Sequence, residues 1–179
     1  MVAEPVSRAT YQHQSGIHRR TRGAILEATQ SLVLDFGLHH TNMIDIADRA
    51  QVSRASLYNH FRDKNEVFVA LLGIEIDRIA ALAKVSGSRA ESLYFISKEI
   101  STHGALRSAL EHDPAAVAIA LSSREHDLWV RIYRHLAEIF ASDAVGVGMI
   151  VRWLLGQVTA PLSNEHSKLQ ADRLIRALS

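Results

Sequence analysis

Between Asn42 and Lys64 two capping positions each precede a short apolar stripe, a pattern few folds accept. Asn42 is followed three residues on by Asp45, a capping-box spacing that starts a helix and puts a carboxylate near the positive end of its dipole. Ile46, Ala47 and Ala50 then form a narrow apolar stripe, and Ala47 is small enough for another helix to cross closely. A turn at Gln51-Val52 follows. Ser53 caps a second helix that buries Leu57 and exposes Arg54, Ala55, Ser56, Tyr58, Asn59 and His60. Two short helices joined by so tight a turn, the second presenting polar residues of groove size, read as a helix-turn-helix.

The surrounding chain is predicted to be all-α, with about nine helices and no convincing strand. Only three prolines occur in 179 residues, and few of the nine glycines fall outside apparent helix ends. Ile25, Ala28, Thr29, Leu32, Val33 and Phe36 recur at helical spacing, so a first helix is expected from about His18 to Phe36, with Gly37 as its stop. Asp63 and Glu66 repeat the capping-box spacing and open a long helix reaching about Val85, read as a strut towards a second domain. Further helices are expected at about 89–102, 115–122, 125–141, from Ser142-Asp143 to Thr159, and at 167–178. The domain reading is therefore a flexible basic arm over 1–17, a DNA-binding domain over 18–65, and a helical domain over 66–179.

Composition excludes several classes. No cysteine is present, so there is neither a disulfide framework nor a thiolate metal site. The first 16 residues hold no apolar run of signal-peptide type, and the apolar stretch 144–155 is interrupted by Arg152 and too short for a bilayer. A cytoplasmic protein with no membrane partner is the expectation. Residues 1–64 carry 8 Lys and Arg against 6 Asp and Glu, net +2, and the remainder 12 against 13, net −1. That small bias suits a nucleic-acid surface at the N-terminal end, since phosphate contacts dominate such affinity.

Phe36-Gly37, Thr41-Asn42, Ile46-Ala47, Ala50, Val52-Ser53, Leu57-Tyr58, His60-Phe61 and Lys64 through Glu66 together resemble the DNA-binding domain of the TetR/AcrR family of bacterial transcriptional regulators. The resemblance covers about residues 18 to 72. It implies a homodimer that binds a palindromic double-stranded operator and is released, as a repressor, by a small-molecule effector. The alternative is a ligand-independent architectural or cell-cycle regulator on the same fold. Two residues depart from the family pattern: Gln51 stands where glycine is usual at the turn, and Ala55 where glycine or proline is usual. A non-glycine residue at positive φ costs roughly 1 kcal/mol.

Arg54 opens the recognition helix, where its fork suits guanine O6 and N7. Ala55 and Ser56 suit a thymine methyl or a base edge, and Asn59 an adenine or a phosphate. Tyr58, His60 and Lys64 match family positions that contact phosphate, Asn42 and Ser53 join them as DNA-binding residues as well as helix caps, and the competing reading for the aromatics is packing between helices. Arg19, Arg20 and Arg22 suit backbone or minor-groove contact, or a solvated face. One helix-turn-helix usually works as a two-fold pair. Ile150, Trp153, Leu154 and Gln157, with Leu174, Ile175 and Leu178, are the expected dimer surface, or else they close the core of one protomer.

In related regulators the region corresponding to 86–160 holds the effector. Tyr94, Phe95, His103, His126, Trp129 and Tyr133 are the candidates here, against a plain core role. Glu111-His112-Asp113 and Glu125-His126-Asp127 lack the i, i+4 ligand pair of a helical metal site, so no metal or cofactor is expected. Neither a phosphate-binding glycine loop nor a nucleophile with its base is evident, so an enzyme is not expected.

Overall fold

The computed structural model describes residues 8–112, 114–115, 117–118 and 127–178, and these contain helices and no strand. The helices are α1 (Arg8–Phe36), α2 (Met43–Arg49), α3 (Arg54–His60), α4 (Lys64–Lys84), α5 (Arg89–Thr102), α6 (Gly104–His112), α7 (Asp127–Phe140), α8 (Ala144–Thr159) and α9 (Asn164–Ala177). The chain divides into two compact units, one through Leu71 and one from Leu72. The division falls inside α4, several residues beyond the boundary at 65/66 expected from the sequence.

The first unit closes around Ile25, Leu26 and Leu32 of α1, Ile46 and Ala47 of α2, Leu57 of α3, Phe61 and Val67. Ala47 has no exposed surface, as its place at a helix crossing requires. α1 starts at Arg8, so residues 8–17 are helical, where the sequence suggested an arm; residues 1–7 lie outside the described residues. No proline falls between Pro5 and the end of α1, and Gly16 and Gly23 sit within the helix. Each glycine costs about 1 kcal/mol relative to alanine there, too little to end a helix of 29 residues. Gly37 does end it, at φ 82°.

The second unit gathers Leu93, Ile96, Trp129, Leu136, Phe140, Val147, Ile150, Val151, Leu154 and Ala171 into one core. Helices α8 and α9 both pack on α5. α5 begins with a full capping box: Glu91 N–H donates to Ser88 Oγ at 3.2 Å, and Ser88 N–H to Glu91 Oε2 at 2.9 Å. α7 and α8 are bent by 110° at Ala141, whose φ is 47°. Past this corner Asp143 accepts from Gly146 N–H at 2.8 Å. A Cβ on Gly146 would lie 2.0 Å from Ser142 Oγ and 3.3 Å from Leu178 Cδ2, so any larger residue there requires the serine to rotate away and the corner to give.

A polar chain crosses this core. Ser97 and Ser167 hydroxyls lie 3.1 Å apart. Ser167 donates to Gln157 Oε1 at 3.1 Å, and Leu162 N–H donates to the same oxygen at 3.2 Å. Ser97, Gln157 and Ser167 are all buried, so each bond carries the full cost of a missing partner. The last helix starts at Asn164 because Ser163 accepts from His166 N–H at 3.3 Å, three residues ahead of the expected start. Trp153 Nε1 donates to Gln170 Oε1 at 2.8 Å, joining α8 to α9. No single helix among the described residues is long and apolar enough to cross a membrane.

Candidate nucleic-acid interface

The interface is built by short-range bonds. Asn42 Oδ1 accepts from the N–H groups of Ile44 at 2.9 Å and Asp45 at 3.0 Å, holding the first turn of α2. The capping box differs from the expected form: Asp45 Oδ2 accepts from the Asn42 side-chain amide at 2.7 Å instead of its backbone N–H. The Asn42 side chain is thus oriented by two donors and one acceptor. At the other end of α2, Gln51 adopts φ 55°. Val52 N–H bonds Ala47 O at 3.0 Å and Gln51 N–H bonds Asp48 O at 3.1 Å. This is a Schellman motif with Gln51 at the left-handed position. The turn keeps its geometry, with glutamine where glycine would relieve the strain.

Ser53 Oγ then accepts from Ser56 N–H at 3.1 Å and starts α3. Leu57 is fully buried, which turns Arg54, Ala55, Tyr58 and Asn59 outward, with Ser56 half-buried at the edge. Tyr58 is 54% exposed, an unusual place for an aromatic ring unless its hydroxyl is used. His60 is half-buried and its ring stacks on His18 of α1 with centroids 4.0 Å apart. Its Nδ1 is buried without a hydrogen-bond partner. Burial first, then the charges of His18 and Arg22, hold the His60 imidazole below its usual pKa. Arg22 lies with its guanidinium 5.1 Å from the centre of the Phe61 ring. Lys64 reaches back to Leu38 O at 3.5 Å and sits 5.6 Å from the Phe68 ring, so a phosphate contact requires it to swing out. Glu66 reaches back to Arg62 N–H at 2.7 Å, one residue earlier than the Asp63–Glu66 box would have it.

An open groove of about 810 Å³ lies between α1 and α2, lined by Leu32, Phe36, His40, Asp45, Asp48, Arg49 and Gln51. Arg49 is already engaged there by Asp35 at 3.1 Å and Ser31 at 2.5 Å. Two exposed carboxylate residues in its lining, Asp45 and Asp48, make it a poor host for phosphate. It does not coincide with the effector region expected from the sequence.

The remaining candidates fare differently. Trp129 is buried in the core of the second unit, and Tyr94, Phe95 and Tyr133 are half-buried against that core. Trp129 and Tyr133 ring centres are 6.3 Å apart. His103 ends α5, with Nδ1 accepting from Leu106 N–H at 3.3 Å and Nε2 3.8 Å from Glu75. Hydrogen bonding to Arg78 holds the Glu75 carboxyl below its ordinary range despite partial burial. His126, Glu125, Asp113 and most of the helix expected at 115–122 lie outside the described residues. Among the described residues no three His, Cys, Asp or Glu side chains are grouped to hold a metal ion.

The expected dimer surface needs correction. Ile150, Leu154 and Gln157 are buried inside the protomer, and Trp153, Leu174, Ile175 and Leu178 pack half-buried against the same core. The large exposed apolar residues of α8 and α9 are instead Val145, Met149 and Leu169. Sequence spacing picked the more hydrophobic face, which is the core face. The outer stripe was visible only as Val145, Met149 and Gly156 at helical spacing around Arg152.

Residues 25–71 match the family model described as bacterial regulatory proteins, tetR family. Residues 25–71 thus carry the domain of that family. A curated relative, the HTH-type transcriptional activator FasR of Mycolicibacterium smegmatis, is 40% identical over 60 residues, 34% of this chain and 27% of that protein. An HTH-type transcriptional regulator of Mycobacterium bovis is 29% identical over 132 residues, 73% of this chain and 60% of its own length. The HTH-type transcriptional repressor BepR of Brucella suis is 38% identical over 53 residues, 30% of this chain and 25% of that protein. The chain thus spans 25% to 60% of these three relatives. Among solved structures, the TetR-family repressor AlkX of Dietzia shares the fold at TM-score 0.68 and 17% identity, over 87% of this chain and 96% of that one. The 25–71 match contains every residue of the interface above except those of the first half of α1.

Proposed function

We propose that this chain is a DNA-binding transcriptional regulator that reads operator DNA with α3 and works as a two-fold dimer. The observation that carries the reading is the outward face of α3: Arg54, Ala55, Tyr58 and Asn59 exposed above a fully buried Leu57. A helix fixed by the Ser53 cap and the Gln51 turn brings those side chains pre-organised to a major groove. Arg54 and Asn59 are assigned to base edges, Tyr58, His60 and Lys64 to phosphate. Val145 and Met149 of α8 and Leu169 of α9 supply the apolar surface for the second copy, at 72%, 44% and 50% exposure. Repression is the sense adopted, as the names of BepR and AlkX suggest; FasR, an activator, marks the opposite outcome. Release by a small molecule follows if an effector binds the DNA-free state more tightly.

The test is fluorescence anisotropy with palindromic duplexes from upstream of the gene. Arg54→Ala should relax base preference by about 1–3 kcal/mol at one position, whereas Lys64→Gln should weaken all sequences alike. A wild-type chain that binds the palindromes no better than scrambled duplexes refutes the reading. The second reading, a regulator without an effector, is favoured by two observations: Trp129 is buried among core residues, and His103 is engaged as a helix cap.

A further inference from the structure

We propose that the open groove between α1 and α2 is a docking surface for a basic amphipathic helix of a second protein. The groove, about 810 Å³ in volume, lies wholly within the first unit. Leu32, Phe36, Asp48 and Gln51 line it, and none of them is assigned to DNA, so the proposal stands apart from the reading of α3.

Three observations give the groove its chemistry. Leu32 and Phe36 are one turn apart on α1 and share a face. Leu32 is buried, while Phe36 is 57% exposed, an aromatic ring left for a partner to cover. Asp45 and Asp48, three residues apart on α2, are both exposed. Asp45 is bonded only by the neutral Asn42 amide, and the Asp48 carboxylate has no partner among the described residues. Arg49, the cation of the lining, is already held by Asp35 at 3.1 Å. The groove is therefore apolar on the α1 side and acidic on the α2 side.

The third observation is Gln51, exposed at φ 55°. Glycine would keep the turn without strain and lose only the side chain, and that side chain lines the groove. Backbone strain of this kind collects where a side chain is used. The amide offers both a donor and an acceptor to the polar groups of a partner.

These features select the occupant. Two carboxylates repel phosphate. A helix that lays apolar side chains on Phe36 and sets Lys or Arg, one turn apart, against Asp45 and Asp48 satisfies both sides at once. The ion pairs are exposed, so they set charge preference and salt dependence more than strength. The exposed apolar residues of α8 and α9 are assigned to the dimer, which leaves a different protein to supply the helix.

The experiment titrates the full chain with two short labelled peptides. One carries Leu and Lys at amphipathic helical spacing; in the other, every Lys is Glu. Anisotropy reads binding, and amide shifts of the isotope-labelled protein read its place. The Leu/Lys peptide should bind, shift amides within 32–36 and 45–51, and weaken as salt is raised. The Leu/Glu peptide should not bind. Phe36→Ala should weaken binding about tenfold, Asp48→Lys about fivefold and Gln51→Gly about threefold. Gln51→Gly separates a used side chain from a merely structural one, since it should melt higher than wild type and yet bind the peptide less well. Equal binding of the two peptides, amide shifts confined to the second unit, or undiminished binding by all three variants overturns the proposal. So does a self-association of the peptide-free chain that Phe36→Ala abolishes, which would assign the groove to a second copy. Operator binding on the same samples reports on α3 separately: its absence in wild type refutes that reading and leaves the peptide result standing.

Discussion

The side chains that shape the α2–α3 face are held by neighbours three residues away, as in Asn42 with Asp45 and Ser53 with Ser56. In the second unit, cross-links join residues far apart in sequence: Lys84 with Glu138 and Asp77 with Arg131 at 54 residues, and Ser97 with Ser167 at 70. The first arrangement needs only a correct local sequence to pre-form its surface. The second exists only once α4, α5, α7, α8 and α9 have met. A change in the first should act locally, and a change in the second should spread through several helices.

A set of substitutions and a pH series can break or sharpen this contrast. The largest effect is expected from Phe61→Ala, since Phe61 is 2% exposed in the small core of the first unit. A cost of about 3–5 kcal/mol should abolish DNA binding and the stability of that unit together, measured by anisotropy and chemical denaturation. Ser167→Ala should cost about 1–3 kcal/mol, because Ser97 loses its acceptor and Gln157 one donor. A double-mutant cycle with Ser97→Ala should give clearly non-additive values, and additive ones would show that the buried chain is not a unit.

Ser53→Ala should cost about 0.5–2 kcal/mol and weaken DNA binding by loosening the first turn of α3, while leaving the second unit's melting unchanged. Gln51→Gly should raise stability by up to about 1 kcal/mol by relieving the left-handed backbone. Ala141→Gly offers the matching experiment in the second unit, at φ 47°. The smallest effect is on pH. His60 has a depressed pKa when folded, so below 6.5 the unfolded chain takes up a proton that the folded one resists. Stability should be full above that value, fall as pH drops towards the folded pKa, and level off below it. His60→Gln should flatten the pH series.

The contrast also explains what the sequence alone could say. Helix starts at Asn42, Ser53, Asp63 and Asp143, the stop at Gly37 and the strained turn at Gln51 were all legible, because each depends on a few adjacent residues. The helical start at Arg8 was not, because residues 8–17 have weak apolar periodicity and contain Gly16. The face of α8 was misassigned for a different reason. Spacing reveals that Ile150, Leu154 and Gln157 share one side of a helix, yet the same pattern serves a protomer core and an interface equally well. The pairing of His18 with His60 was hidden because 41 intervening residues separate them and neither carries a local signal.

The position of the tryptophans has an optical consequence. The chain has two, Trp129 and Trp153, and both lie beyond Leu72, one buried in the core and the other bonded to Gln170. Intrinsic indole emission therefore reports on the second unit and is dark to the one that carries α3. Far-UV circular dichroism sees the helices of both. Overlaying the two unfolding curves would show at once whether the halves melt as one cooperative body or as two, with no label and no mutation.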